Sequence, residues 1–158
     1  IAIHVGGSVE NFVKMMNEEA KRIGAVDTNV VNSNGLSDEN HYTTAYDLYL
    51  IFNEALKDPR FANYAGCASY NVTYTAADGS QVTKNWRNGN RYITGQVAAP
   101  YGVAVEAGKT GTTLAAGSCL VISSANDKGN RYISVVLKSK NRADLYDNMS
   151  KLLMKIDK

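Results

Sequence analysis

The stretch Ala104-Val105-Glu106-Ala107-Gly108-Lys109-Thr110, which continues into Gly111-Thr112-Thr113, decides how this 158-residue chain folds. It is followed by two more runs with strand-forming residues, at about 119–124 and 131–138. Such runs, separated by glycine and polar residues, predict β-strands. The tight polar turn 126–130 joins the last two and predicts antiparallel pairing. The sequence therefore predicts an antiparallel sheet here.

A second antiparallel pair is predicted upstream of that sheet. Tyr70, Val72 and Tyr74 alternate with polar residues, which is the period of a strand with two unlike faces. Asp78-Gly79 is a strong hairpin signal, and residues 81–86 supply the return strand.

Helices are predicted before and after the strands. Ser8 can cap a helix that runs to about Lys21, and Thr44 opens a second helix, which Pro59 ends or restarts. Asn141 can cap a final helix. Helices, then antiparallel strands, then a closing helix predict an α+β fold, with an antiparallel sheet and flanking helices.

Composition excludes several classes of function. With 17 basic and 15 acidic residues, the chain lacks the basic excess of a nucleic-acid-binding protein. No apolar run approaches the roughly 20 residues that a membrane span needs. Cys67 and Cys119 lie far apart and there are two histidines, which argues against a metal site and favours two buried free thiols. Nothing in the sequence points to a cofactor.

The segment Lys109-Thr110-Gly111 is the main candidate for a functional site, and we consider two interpretations of it. A phosphate-binding loop needs glycine at position 103, where Val103 stands, and a helix after the loop, where another strand is predicted. The phosphate-loop interpretation is therefore rejected. The alternative is the Lys-Thr-Gly element of penicillin-recognising serine enzymes, in which a strand edge faces a peptide substrate.

Several segments, in order along the chain, support the second interpretation. They are Gly6-Gly7-Ser8 with 12–17, Asn32-Ser33-Asn34-Gly35-Leu36, 41–48, Asn85-Trp86, Asn88-Gly89-Asn90-Arg91, Lys109-Thr110-Gly111-Thr112-Thr113, Ala116-Gly117, Cys119-Leu120-Val121 and 131–137. Together they closely resemble the D-alanyl-D-alanine carboxypeptidases, the low-molecular-mass penicillin-binding proteins. The resemblance covers nearly the whole chain.

The resemblance implies a penicillin-binding, β-lactamase-like transpeptidase fold, of which this chain holds a part. It implies a serine-type D-Ala-D-Ala carboxypeptidase that trims peptidoglycan stem peptides through an acyl-enzyme, and that β-lactams acylate in the same way. It also implies an extracytoplasmic enzyme, tethered to a membrane only through a C-terminal extension that this chain does not include.

The resemblance assigns roles to five residues. Lys109 and Thr110 would position the terminal carboxylate of the substrate, and Gly111 would leave room for the substrate backbone. The backbone N–H of Thr112 would supply one donor of the oxyanion hole. Arg142 is a further candidate for carboxylate binding; the alternative is a solvated arginine at the start of a helix.

Two motifs of the family are missing from the chain. No serine has a lysine three residues on, and the three Ser-x-Asn triplets, at 69–71, 124–126 and 139–141, fall in predicted strands and turns. The resemblance therefore implies that residues 1–158 are the C-terminal part of a catalytic domain, with both motifs upstream of residue 1. Residues 1–4 would lie inside the helix that follows the second motif. The isolated chain is expected to be inactive.

Alternatives to the carboxypeptidase remain open. One is a related endopeptidase or β-lactamase of the same fold, and the other is a non-catalytic module that binds peptidoglycan or a protein. We also expect self-association, because a partial sheet exposes apolar surface. His41 and Asp47 are interpreted as structural, the first in a loop and the second as a helix cap. Asn34 replaces a frequent histidine of the family.

Overall fold

A computed structural model describes residues 1–156 and confirms the α+β class. The elements, in chain order, are α1 (Ala2–Gly6), α2 (Val9–Arg22), α3 (Ala45–Ala55), α4 (Pro59–Gly66), β1 (Ser69–Thr75), β2 (Gln81–Arg87), β3 (Val103–Thr113), β4 (Gly117–Asn126), β5 (Arg131–Ser139) and α5 (Arg142–Leu153). Of residues 1–4, which are expected inside a helix, residues 2–4 belong to α1 and Ile1 is its N-cap. No helix within residues 1–156 is long and apolar enough to cross a membrane.

The helices begin where the sequence predicts. The side chains of Ser8, Thr44 and Asn141 each accept a hydrogen bond from the backbone N–H three residues on, at 3.1, 3.0 and 3.0 Å. Such caps satisfy an amide that has no partner within the helix. Pro59 restarts the chain as α4, whose N-cap is Asp58.

The strands form a hairpin, β1–β2, and a three-stranded antiparallel sheet of order β3-β4-β5. β3 is longer than the expected 104–110. Pairing of Thr112 with Ser118 and of Thr113 with Gly117 carries the ladder past Gly111. The connection between β3 and β4 is therefore a tight turn at residues 114–116.

The sheet is covered on both faces. On one face, α5 packs on β4 through an apolar cluster, and on the other α3 and α4 pack on β3, β4 and β5. The buried members are Tyr92, Val103, Leu120, Ile122, Leu145, Tyr146, Met149, Leu153 and Ile156 on the first face, and Phe52, Ala107 and Val121 on the second. Because β4 is packed on both faces, its position is fixed, and its hydrogen bonds to β3 fix the position of β3 in turn.

Two local expectations need correction. Asp47 is buried and its Oδ2 accepts a hydrogen bond of 2.7 Å from the hydroxyl of Thr28, while Thr44 is the helix cap. Asp47 thus ties a loop to α3. Cys67 and Cys119 are free, as expected, but half-buried.

Apolar side chains of α1 are exposed, among them Ile3 at 65%.

Candidate active site

Lys109, Thr110 and Gly111 lie in β3, one of the two edge strands of the sheet. Thr110 pairs with Leu120 and Gly111 with Cys119 on one side, and no strand within residues 1–156 pairs with the other side. An open strand edge offers its N–H and C=O groups to an extended peptide. The chain continues through a tight turn into β4, which confirms that the segment is no phosphate loop.

A loop of residues 88–91 is held beside β3 by hydrogen bonds. The side-chain amide of Asn88 donates to the carbonyls of Ala65 and Cys67, at 3.1 and 3.0 Å. The backbone N–H of Arg91 donates to the hydroxyl of Tyr146 at 2.7 Å. The loop is thereby joined to the end of α4 on one side and to α5 on the other.

The loop approaches β3 more closely than side chains would allow. A Cβ at Gly89 would lie 2.7 Å from Thr110 Oγ1, and a Cβ at Gly108 would lie 2.5 Å from Asn90 Nδ2. Real Cβ atoms do not come so near to other heavy atoms. Glycine at position 89 therefore lets the loop lie against the Thr110 hydroxyl, and glycine at position 108 leaves room for the side-chain amide of Asn90.

A cavity of about 370 Å³ opens between this loop, α4 and β3. It is lined by Phe61, Tyr64, Ala65, Asn88, Gly89, Gly108, Lys109 and Thr110. None of these residues is acidic, and the Lys109 ammonium, which donates to the carbonyl of Thr110, is exposed. An uncompensated cation beside hydroxyl and amide groups favours a carboxylate ligand. Within residues 1–156, no three His, Cys, Asp or Glu side chains are placed to hold a metal ion.

The far end of β3 is fixed by a contact that sequence reasoning missed. The hydroxyls of Ser37 and Thr113 are joined by a hydrogen bond of 2.7 Å across 76 residues of chain. Asn32 Oδ1 accepts from the Gly35 N–H at 2.8 Å and shapes the loop that carries Ser37. No local signal reveals such a long-range pair.

The structure brings four of the five predicted site residues together on one strand. Lys109, Thr110, Gly111 and Thr112 are consecutive in β3, and Thr112 is exposed. Arg142 is exposed at the first position of α5. Ser118 pairs with both Thr112 and Ser139, so Ser139 lies at the same end of the sheet as Thr112, about 10 Å away across two strand spacings. Arg142 follows Ser139 by three residues.

Sequence reasoning also missed the residues that position this strand. Asn90 is fully buried, and its Oδ1 accepts from the N–H of Tyr92 at 3.1 Å. The Asn88-Gly89-Asn90 run was noticed as a matching segment, but its contact with Thr110 depends on tertiary packing. Phe61 and Tyr64 of α4 line the cavity without any motif of their own.

Comparison with known proteins identifies the family. A profile of the family described as D-alanyl-D-alanine carboxypeptidase matches residues 1–141. The chain belongs to the D-alanyl-D-alanine carboxypeptidase family. One curated relative is the D-alanyl-D-alanine carboxypeptidase DacF of Bacillus subtilis, which is 33% identical over 156 residues, or 97% of this chain and 36% of DacF.

Solved structures of DD-peptidases show the same fold. The D-alanyl-D-alanine carboxypeptidase DacD from Francisella tularensis is 26% identical, with a TM-score of 0.79 over 97% of this chain and 46% of that one. A variant of the Streptomyces K15 DD-transpeptidase is also 26% identical, with a TM-score of 0.82 over 92% of this chain and 54% of that one. The expected transpeptidase fold is confirmed. This chain spans about a third to a half of the length of these relatives.

Proposed function

We propose that this chain is the substrate-binding, C-terminal part of a serine-type D-Ala-D-Ala carboxypeptidase. The observation that carries the proposal is the placement of Lys109, Thr110 and Gly111 on the open edge of β3, beside a cavity with one cation and no acidic lining residue. A strand edge of this kind suits an extended peptide, and the cation suits its terminal carboxylate.

Each residue of the strand has a role in this proposal. The Lys109 ammonium and the Thr110 hydroxyl bind the carboxylate of the terminal D-Ala. A Cβ placed at Gly111 would meet no heavy atom within 4 Å, so the space beside this glycine is open to the substrate backbone. The Thr112 N–H stabilises the oxyanion that forms on the attacked carbonyl. Arg142 supplies a second positive charge at the same end of the sheet.

The nucleophile is proposed to come from a segment outside these 158 residues, since none of their serines has a lysine three residues on. Its serine hydroxyl attacks the penultimate carbonyl, the terminal D-Ala leaves with the proton, and water then hydrolyses the ester. β-Lactams would acylate the same serine. The proposed substrate, a peptidoglycan stem peptide, places the enzyme outside the cytoplasm.

A fluorescent penicillin tests the proposal. The longer protein that carries this chain should be labelled on one serine, and Lys109→Ala should slow labelling by at least tenfold, while Lys128→Ala, in the exposed β4–β5 turn, should not. Intact-mass spectrometry of the 158-residue chain should show no adduct. Labelling of the short chain would contradict the assignment of the nucleophile. A longer protein that binds stem peptide without being labelled would instead be a binding module.

A further inference from the structure

A second cavity, called the distal cavity below, lies toward the start of β3 and away from Thr112. It measures about 520 Å³, which is within the range of binding sites for small molecules. It shares no lining residue with the cavity beside Lys109. Glu106, which lines it, precedes Lys109 by three residues, so the two sites are about 10 Å apart along the strand. Its polar wall includes Tyr49, Asn53, Lys57, Asn63, Glu106 and Arg131.

A β-bulge in β3 directs the side chain of Glu106 into the distal cavity. Val105 pairs with Ser124 and Ala107 with Ser123, so Glu106 has no partner of its own in β4. Val105 therefore packs on the α5 side of the sheet and Ala107 on the α3 side, whereas residues two apart in a regular strand share a face. Bulges are common beside binding and active sites, where they redirect a side chain. The bulge thus makes Glu106 a candidate binding residue.

Contacts within the protein already compensate the charges of the cavity wall. Glu106 Oε2 accepts a hydrogen bond of 3.3 Å from Ser123 Oγ and lies 3.4 Å from Arg131 Nε. The other cation of the wall, Lys57, is paired with Glu54 at 2.5 Å. Glu106 Oε1 accepts no hydrogen bond from residues 1–156, so this oxygen is available to a ligand.

The chemistry of the wall selects the class of ligand. Because its charged groups are paired, the cavity does not favour a free anion, as the surroundings of Lys109 do. A ligand with several hydroxyl groups suits it better, because each hydroxyl donates and accepts hydrogen bonds and can bridge a carboxylate and a guanidinium. The exposed amides of Asn53 and Asn63 offer a donor and an acceptor to an acetamido group. The rings of Tyr49 and Tyr132 add apolar surface to this polar wall.

We propose that the distal cavity binds a neutral, N-acetylated sugar of one or two rings. Glu106 and Arg131 bind the ring hydroxyls. Asn53 and Asn63 bind the acetamido group, and Tyr49 packs against the apolar face of a ring. This inference goes beyond the proposed function and does not depend on it, because no residue assigned to the D-Ala-D-Ala site lines the cavity.

Two ligands test the inference and the proposed function separately. N,N′-diacetylchitobiose, a neutral disaccharide, probes the distal cavity, and N-acetyl-D-Ala-D-Ala probes the Lys-Thr-Gly strand. Each is titrated into the 158-residue chain and followed by two-dimensional NMR. The amides of residues 106, 107 and 133 report the distal cavity, and the amides of residues 109–112 report the strand.

The disaccharide should shift the amides of residues 106, 107 and 133 until they saturate, with a dissociation constant of about 1 mM. Because the ligand is neutral, its affinity should change by less than about twofold between about 0.05 and 0.5 M NaCl. A steep loss of affinity with salt would indicate a site for charged ligands and overturn the inference. The dipeptide should shift residues 109–112 and leave residue 133 unchanged.

Two substitutions in the wall should weaken disaccharide binding and leave dipeptide binding unchanged. Tyr49→Ala removes the ring that packs against the sugar and should weaken it by about fivefold. Glu106→Gln keeps the shape of the side chain and removes its charge, so it should weaken binding severalfold, since hydrogen bonds to ionised groups are stronger. Tyr42→Ala is the matched control, because Tyr42 is 56% exposed and does not line the cavity.

The outcomes separate the two claims. Dipeptide shifts at residues 109–112, with no shift at residues 106, 107 and 133 up to about 50 mM disaccharide, overturn the inference and leave the proposed function standing. Disaccharide binding that Tyr49→Ala does not weaken also overturns the inference. Disaccharide binding without any dipeptide shift at residues 109–112 contradicts the proposed function and leaves the inference standing.

Discussion

Two glycines of β3, three residues apart, should respond differently to substitution by alanine, one with a loss of stability and the other with a loss of ligand affinity. Gly108 faces the buried side of the strand and Gly111 lies open to solvent. Neither has a positive φ, so alanine is acceptable to the backbone at both positions. Gly108→Ala and Gly111→Ala therefore separate the structural use of glycine from its use in binding.

The magnitudes follow from what a Cβ would meet. At position 108 it would lie 2.5 Å from Asn90 Nδ2, 2.7 Å from Ile122 Cγ2 and 2.8 Å from the carbonyl oxygen of Val121. The carbonyl belongs to the adjacent strand and cannot swing away, so overpacking should cost about 1–3 kcal/mol. At position 111 it would meet no atom within 4 Å. The stability change there should stay within about 0.5 kcal/mol.

Urea unfolding, followed by far-ultraviolet circular dichroism, measures the stability of both variants. The affinity for N-acetyl-D-Ala-D-Ala is measured in parallel by NMR titration. Gly111→Ala should keep its stability and lose at least tenfold in affinity, because the methyl group occupies the space that the substrate backbone needs. A Gly111→Ala variant that binds normally would refute the role of the strand edge. A Gly108→Ala variant as stable as the parent would refute the packing argument.

Four further predictions follow from other parts of the structure. Asn88→Ala should lower the free energy of unfolding by on the order of 2 kcal/mol, because two carbonyls lose their donor. Gly89→Ala should displace the Thr110 hydroxyl and weaken D-Ala-D-Ala binding more than it weakens the fold. Hydrogen bonds from Arg60 hold the pKa of Asp58 at about 2, below its ordinary 3.8, so stability should fall as the pH drops from 3.8 to 2, and less in Asp58→Asn. The chain should self-associate through the exposed apolar side chains of α1.

Each of these has a simple check. Chemical denaturation measures Asn88→Ala, and unchanged stability would contradict the account of the loop. For Gly89→Ala, a loss of stability as large as the loss of affinity would indicate a general packing defect and contradict the prediction. Unfolding midpoints measured between pH 2 and 5 should fall less steeply toward low pH in Asp58→Asn than in the parent chain, because asparagine has no carboxylate to protonate. Light scattering at high concentration should detect oligomers, and a strictly monomeric profile would count against them.

Local sequence signals predicted most of the fold. Ser8, Thr44 and Asn141 were identifiable as caps because each side chain bonds an amide three residues on, within a single turn. The alternation from Tyr70 to Tyr74 and the Asp78-Gly79 turn are equally local, and the hairpin forms where they predict it. The end of β3 was placed too early because its last pairs depend on how tightly the next turn closes.

The candidate site was predictable only in part. The Lys-Thr-Gly tripeptide was visible as a motif because its residues are contiguous. The close approach of Gly89 to the Thr110 side chain was not visible, because it joins two separate segments and no spacing pattern in the sequence marks it. The same holds for Asp47, which was interpreted as a helix cap because its contact with Thr28 leaves no local signal. Non-local packing, unlike local periodicity, has to be seen in three dimensions.

The most direct test of the central claim is a paired NMR titration of the 158-residue chain with N-acetyl-D-Ala-D-Ala and with its C-terminal amide. The two ligands differ only in the terminal carboxylate that Lys109 and Thr110 are proposed to bind. The acid should shift the amides of residues 109–112 and bind at least tenfold more tightly than the amide. Equal affinities, or shifts confined to other parts of the chain, would contradict the account.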